Sequence, residues 1–204
     1  MNTEKHIFEM IKKYAKELSG MESSLWKIMV CQDGRVYETG DGCDFKNLRQ
    51  TDVFSEAEAE AYPIERKFLA ERKQLKAMVL SRTPYCTLAA EEGRTLLPPL
   101  DDMAQIVGPQ AEIIPYDGEK IGRALQEAAG CFVRDRYTIT VGRSLFEAVV
   151  ALQVLEKSAE VSLKADVLGG AVAVPTEEAR KLRRIYLEQY SKAEAAVKSE
   201  EGRR

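Results

Sequence analysis

Apolar residues recur along this chain with two different periods. From the capping residue Thr3, the positions Ile7, Phe8, Ile11, Tyr14, Ala15 and Leu18 fall on one face at spacings of three and four. Gly20 closes the segment, so the pattern predicts an amphipathic first helix. The period then shortens. Leu25–Cys31 reads as a strand, Asp33-Gly34 as a tight hairpin turn, and Arg35–Thr39 as the returning strand. Gly40 to Asp44 forms a loop anchored by Phe45 and Leu48. Ser55-Glu-Ala-Glu58 has the spacing of a capping box, and the segment up to Lys73 is helical in composition, with Pro63 marking a start or kink near Tyr62.

Further on, Leu75–Leu80 is predicted as a central strand and Thr87–Glu92 as a short helix ended by Gly93. Leu96 to Asp101 is a loop, Ala111–Pro115 a short strand, Asp117-Gly118 a turn, and Glu119–Ala129 a helix with Ile121 and Leu125 inward. Phe132–Val141 reads as the second central strand, closed by Gly142. Ser144-Leu-Phe-Glu147 is a second capping box and opens the longest helix, to about Leu168 before Gly169-Gly170. Pro175 opens a last helix from Glu177 to about Ala193. Short strands alternating with helices, and no internal repeat, predict one layered α/β domain over residues 1–193, with a charged tail at 194–204 expected to fray.

Composition narrows the function classes. The 30 basic and 33 acidic residues are dispersed along the chain, so no basic stripe points to nucleic acid. No apolar run reaches the length of a membrane span; the best is Ala148–Leu152. Cys31, Cys43, Cys86 and Cys131 have no paired spacing and read as free, packed thiols of a reducing cytoplasm. The single histidine, His6, cannot build a zinc site, which needs several converging Cys or His ligands, and no clustered acidic motif asks for magnesium. No cofactor is therefore expected.

The stretch Ala77-Met-Val-Leu-Ser-Arg-Thr-Pro-Tyr-Cys-Thr87 carries the candidate chemistry, because it runs from a strand through a turn into a helix and leaves Arg82 at the strand end. This stretch resembles the Ala-Val-Val-His-x-His-x-Pro-Tyr-Ala-Thr segment of the class II aldolase and adducin N-terminal family. Phe132-Val-Arg-Asp-Arg-Tyr137 with Val141-Gly142 is similar to that family's Leu-Leu-Arg-Asn-His-Gly segment and its following Val-Gly. Glu147-Ala148, Leu155-Glu156, Ala159 and Leu168-Gly169 fit its long helix, and Tyr37-Glu-Thr-Gly40 with the segment to Val53 resembles its Thr-Pro-Ser-Gly stretch. The resemblance implies a three-layer aldolase-like domain, with a mostly antiparallel central sheet and helices on both faces. It also implies a homo-oligomer, commonly a fourfold tetramer, acting on sugar phosphates such as fuculose or ribulose phosphate.

The departures from that family shape the functional reading. Its three zinc-binding histidines correspond here to Leu80, Arg82 and Arg136. Leucine has no ligand atom and arginine stays protonated, so none can hold a cation. Of the family's phosphate cradle, only Thr39-Gly40 remains a plausible contact; Ser23-Ser24 and Glu58-Ala59 stand at the other two segments. Glu60 corresponds to the acid–base carboxylate. Two readings of the arginines follow. In one, Arg82 and Arg136 replace the metal's positive charge and bind a small anionic metabolite; in the other, they pair with Glu60 and Asp135. The functional expectation is a divergent, metal-free member without conventional aldolase activity. The alternatives are an altered lyase or epimerase, with Lys76 or Lys120 conceivable in the metal's place, and a non-catalytic adducin-like interaction module.

Overall fold

The computed structural model describes residues 3–55 and 61–201, with side chains to residue 189. Seven strands form one sheet, ordered β3-β2-β1-β4-β7-β6-β5. The strands are β1 (Trp26–Gln32), β2 (Arg35–Thr39), β3 (Val53–Ser55), β4 (Ala77–Ser81), β5 (Ile113–Ile114), β6 (Gly130–Val133) and β7 (Tyr137–Gly142). All neighbours run antiparallel except β5 and β6. The expected layered α/β class with a mostly antiparallel sheet is what the chain forms.

Helices cover both faces. On one, Ile28, Val30, Tyr37 and Val79 pack against α1 (Thr3–Leu18) through Ile7, Phe8 and Ile11, and against α5 (Leu145–Asp166) through Ala148, Val149 and Leu152. On the other, Met29, Cys31, Met78, Leu80 and Ile139 pack against Phe68 and Leu69 of α2 (Pro63–Glu71) and Ile121 and Leu125 of α4 (Gly118–Glu127). The two-residue alternation of a strand sends neighbouring side chains to opposite layers, so the central strands are apolar at nearly every position. A third cluster joins α3 (Pro84–Glu91) to α5 through Cys86, Ala89, Leu155 and Ala159. No described helix is long and apolar enough to cross a membrane.

Several elements depart from expectation, each for a local reason. Phe132–Val141 is a hairpin rather than one strand: Arg134, Asp135 and Arg136 form its turn, with Asp135 at φ 59°. Three consecutive charged residues favour the solvent at a turn, and aspartate tolerates the left-handed conformation. Of the capping box expected over 55–58, only Ser55 lies within the described residues. It ends β3, paired with Tyr37, and α2 begins at Pro63, whose missing N–H costs nothing in a first turn. α3 starts at Pro84 rather than Thr87 for the same reason. A π-helical turn, Met103–Val107, was not foreseen, and α6 runs over Thr176–Glu201, further than its apolar pattern suggests.

Gly142 ends β7 where the strand tucks under the first turn of α5. A Cβ there would lie 2.6 Å from the Ala148 nitrogen and from Glu147 Cβ, and 2.7 Å from the Ser144 carbonyl oxygen. These atoms belong to or adjoin a capped helix start, where the Ser144 hydroxyl accepts the Glu147 N–H and cannot yield cheaply. Gly142→Ala is therefore expected to destabilise the fold by about 3 kcal/mol, read by urea denaturation, whereas Gly34→Ala, with open space around its Cβ, should cost only the strain of its positive φ, about 1 kcal/mol.

Candidate functional site

The β4–α3 turn and the β6–β7 hairpin meet at one end of the sheet. The turn is held by a carboxylate from α5. Glu156 accepts the Thr83 hydroxyl at 2.6 Å and the N–H groups of Tyr85 and Cys86 at 2.9 Å each. Thr83 is the residue before the helix, yet its own side chain caps nothing; Glu156 satisfies the orphan donors of α3 in its place. On the other side, the Arg82 N–H donates to the Ser23 hydroxyl at 3.0 Å. Ser23 donates in turn to the Leu25 carbonyl, so it serves as a strand-end clamp.

Arg82 and Arg136 face one cleft of about 150 Å3, together with Thr87, Thr138 and the acidic residues Glu91 and Asp135. Neither guanidinium has a carboxylate within 4 Å among the described residues, so no pairing with Asp135 forms. Arg136 instead lies over the Tyr116 ring, 3.9 Å from its centroid. Glu60 lies outside the described residues. Thr39 is fully buried, its hydroxyl accepting the Ile28 N–H at 3.0 Å, and Gly40 donates its N–H to the Asp52 carbonyl at 2.7 Å. The structure thus brings Arg82 and Arg136 together and keeps Thr39 and Gly40 out of their cleft.

Leu80 is fully buried and packs in the apolar cluster beneath α2 and α4. Its register partner on β1 is Lys27, a lysine only 1% exposed that was not singled out in the sequence. The Lys27 ammonium lies 3.2 Å from Glu38 and 2.9 Å from Asp41, with the Tyr62 ring at 4.8 Å. Arg66 grips the same Glu38 with two hydrogen bonds, at 2.7 and 3.1 Å. The signal was present: Lys27 and Glu38 sit within strand patterns at positions whose alternation points inward. Buried charges need partners, and partners from two strands and a helix are visible only after folding. Lys76 and Lys120, by contrast, are exposed.

A second buried carboxylate, Glu65 on α2, accepts the Tyr137 hydroxyl at 2.5 Å and the Tyr116 hydroxyl at 3.3 Å. Tyr137 occupies the position of the glycine in the resembling family segment, and its ring fills the interior beside Ile139. Burial, then the Glu65 hydrogen bond, push its phenol far above the usual range, so it is a fixed proton donor. Tyr62, between the two networks, adopts a left-handed backbone at φ 61°, a strained state for an aromatic residue, and its ring tilts against Tyr137. The Cys86 thiol at the cleft wall is pushed up by burial and then by Glu156, which makes it a packing group.

No zinc site fits these residues. Leu80 offers no donor, Arg82 and Arg136 are cations, and no three His, Cys, Asp or Glu side chains converge among the described residues. The positive charge near Leu80 is carried by Lys27 and is already neutralised. Replacing Glu38 by leucine should leave the buried Lys27 ammonium with Asp41 alone and Arg66 without its carboxylate, and cost about 3 kcal/mol in denaturant titrations. Glu156→Leu should cost about 2–4 kcal/mol by removing three bonds to one charged acceptor, and should loosen the backbone of Arg82, read as faster amide exchange in 83–87.

The sequence model of the Class II Aldolase and Adducin N-terminal domain matches residues 10–163. No curated protein matches the chain in sequence. Among solved structures, an L-fuculose 1-phosphate aldolase superposes with a TM-score of 0.78 at 17% identity, covering 89% of this chain and 96% of its own. YgbL from Escherichia coli, a putative aldolase/epimerase/decarboxylase, superposes at 0.75 with 15% identity, over 89% of this chain and 100% of its own. The L-fuculose-1-phosphate aldolase from Thermus thermophilus follows at 0.70 and 16% identity, over 83% and 100%. At such identities these neighbours speak to the fold, while the sequence match reaches across most of the chain and includes both segments that frame the arginine cleft: this chain belongs to the class II aldolase and adducin N-terminal domain family.

Proposed function

We propose that this protein is a divergent member of its family that binds a small anionic metabolite between Arg82 and Arg136 and does not carry out zinc-dependent cleavage of a sugar phosphate. The observation that carries this reading is the cleft itself. Two arginines from separate elements line it, and neither is neutralised by a described carboxylate. Guanidinium groups in a partly enclosed setting recognise carboxylate or phosphate oxygens with two parallel hydrogen bonds. The volume of about 150 Å3 suits a compact oxyanion rather than a nucleotide. Thr87 and Thr138 on the walls supply hydroxyls for orientation. Glu91 and Asp135 on the rim disfavour a ligand whose negative charge extends out of the cleft.

The residues at the ligand positions support the absence of conventional aldolase chemistry. Carbon–carbon cleavage next to a carbonyl needs a group that holds the developing enediolate charge. Lys27, the buried cation nearest Leu80, is engaged by Glu38 and Asp41. Glu60 stays the acid–base candidate if a reaction of another kind occurs, and assembly as a homotetramer is expected by family resemblance.

Thermal melts of the full chain with inorganic phosphate, glycolate and glycerol 3-phosphate test the reading. At a hundredfold excess over the dissociation constant a native-state ligand adds about 2.7 kcal/mol, so at least one probe should raise the melting temperature. The Arg82→Leu/Arg136→Leu variant should keep its fold and lose that rise. Equal stabilisation of the variant, or none in the wild-type chain, would sink the anion site. Stoichiometric zinc by elemental analysis, or turnover of fuculose 1-phosphate, would overturn the metal-free part.

A further inference from the structure

A larger cavity, of about 460 Å3, opens at the opposite end of β7, beside Gly142 rather than Tyr137. Three arginines from three elements line it: Arg72 at the end of α2, Arg143 between β7 and α5, and Arg183 on α6. From this convergence we infer that the cavity is a second ligand site, taking a small organic molecule with an oxyanion head and an apolar body.

The charge balance supports the head. Arg143 is bonded to Glu147, with a closest approach of 2.7 Å. Glu127, also on the wall, is held by Arg180 at 3.2 Å. Arg72 and Arg183 have no carboxylate within 4 Å among the described residues, so two cations facing the cavity lack a contacting counter-charge. Arg183 is the more telling of the pair. One of its terminal nitrogens donates to the Gln105 and Ile106 carbonyls of the π-helical turn, at 3.1 and 2.6 Å. Its Nε is buried with no partner. Burial pulls this arginine down to about 10, with Glu147 acting in the opposite direction. A buried donor and an uncompensated guanidinium are costly, and native structures place a polar partner or an ion beside them.

The apolar body follows from the remaining wall, which Leu75, Ile106, Leu125, Val141 and Tyr186 line. A cavity of this size with apolar walls and a few convergent polar groups is the usual form of a small-molecule site. π-helical turns also recur at functional positions. α6 lies beyond the residues 10–163 matched by the family, so one wall is built from a segment outside the shared domain. The site is independent of the Arg82–Arg136 cleft, being built from other side chains at the other end of the strand.

Isothermal titration of the full chain with phenyl phosphate and with benzoate, against phenol as the neutral control, tests this inference. One or both oxyanion probes should bind and phenol should not; the stronger of the two identifies the head group as phosphoryl or carboxylate. Arg72→Gln, which disturbs no hydrogen bond of the described residues, should weaken binding by about tenfold or more, and Arg183→Gln likewise. The Arg82→Leu/Arg136→Leu protein should bind as the wild type does. No binding by the wild-type chain, equal binding of phenol, unchanged affinity in both single variants, or loss confined to Arg82→Leu/Arg136→Leu would each overturn the second site.

Discussion

One carboxylate sets the geometry of the sheet's functional end. Glu156 reaches from α5 to take three donors of the β4–α3 turn. The turn would otherwise present unsatisfied N–H groups at a partly buried helix start, a state that folded chains avoid. Because α5 also packs under the sheet, the same contact fixes where β4 ends and hence where Arg82 leaves the strand. Across the cleft, the β6–β7 hairpin places Arg136 by a different device, a left-handed Asp135 in a tight charged turn. The two arginines meet because two independent constraints aim at the same space.

Behind that cleft, the interior around Leu80 holds two sets of mutually paired polar side chains. Leu80 fills one ligand position with hydrocarbon. Lys27, its cross-strand neighbour, brings a positive charge, and the buried Glu38 with Arg66, and Asp41 at the surface, complete an ionic cluster around it. Beside it, Tyr137 stands where the resembling segment has a glycine and donates its hydroxyl to Glu65 in a hydrogen bond. Each network satisfies its own charges and donors, which is the condition for keeping ionised groups out of water. Outside these networks, two clefts each bring together arginines with no carboxylate within 4 Å among the described residues: Arg82 and Arg136 at one end of β7, Arg72 and Arg183 at the other.

Much of the fold was legible in the order of residues. The period-3.6 face of α1, the Asp33-Gly34 turn, and the Ser144 cap appear where the pattern puts them, because each is decided by neighbours within a few positions. The loss of zinc ligands was equally plain, since Leu80, Arg82 and Arg136 announce it by side-chain type alone. The hairpin hidden in Phe132–Val141 was missed because β6 and β7 are both fully buried, which erases the polar break expected at a turn except for the three charged residues themselves. Ser55 ends β3 by pairing with Tyr37, a long-range contact that a local capping signal does not register.

What the sequence by itself determined was the family, the layered class and the residue types at the positions matching the family's ligands, because these depend on residue identity and short-range spacing. Which groups stand together was decided only in three dimensions. Lys27 and Glu38 are ordinary charged residues until strand alternation turns both inward, and Glu156 is one more acid on a long helix until α3 docks against it. Arg183 becomes notable only when α6 lays it on a π-helical turn and buries its Nε. Burial and long-range partners set the energy of a charge, and both are properties of the folded chain.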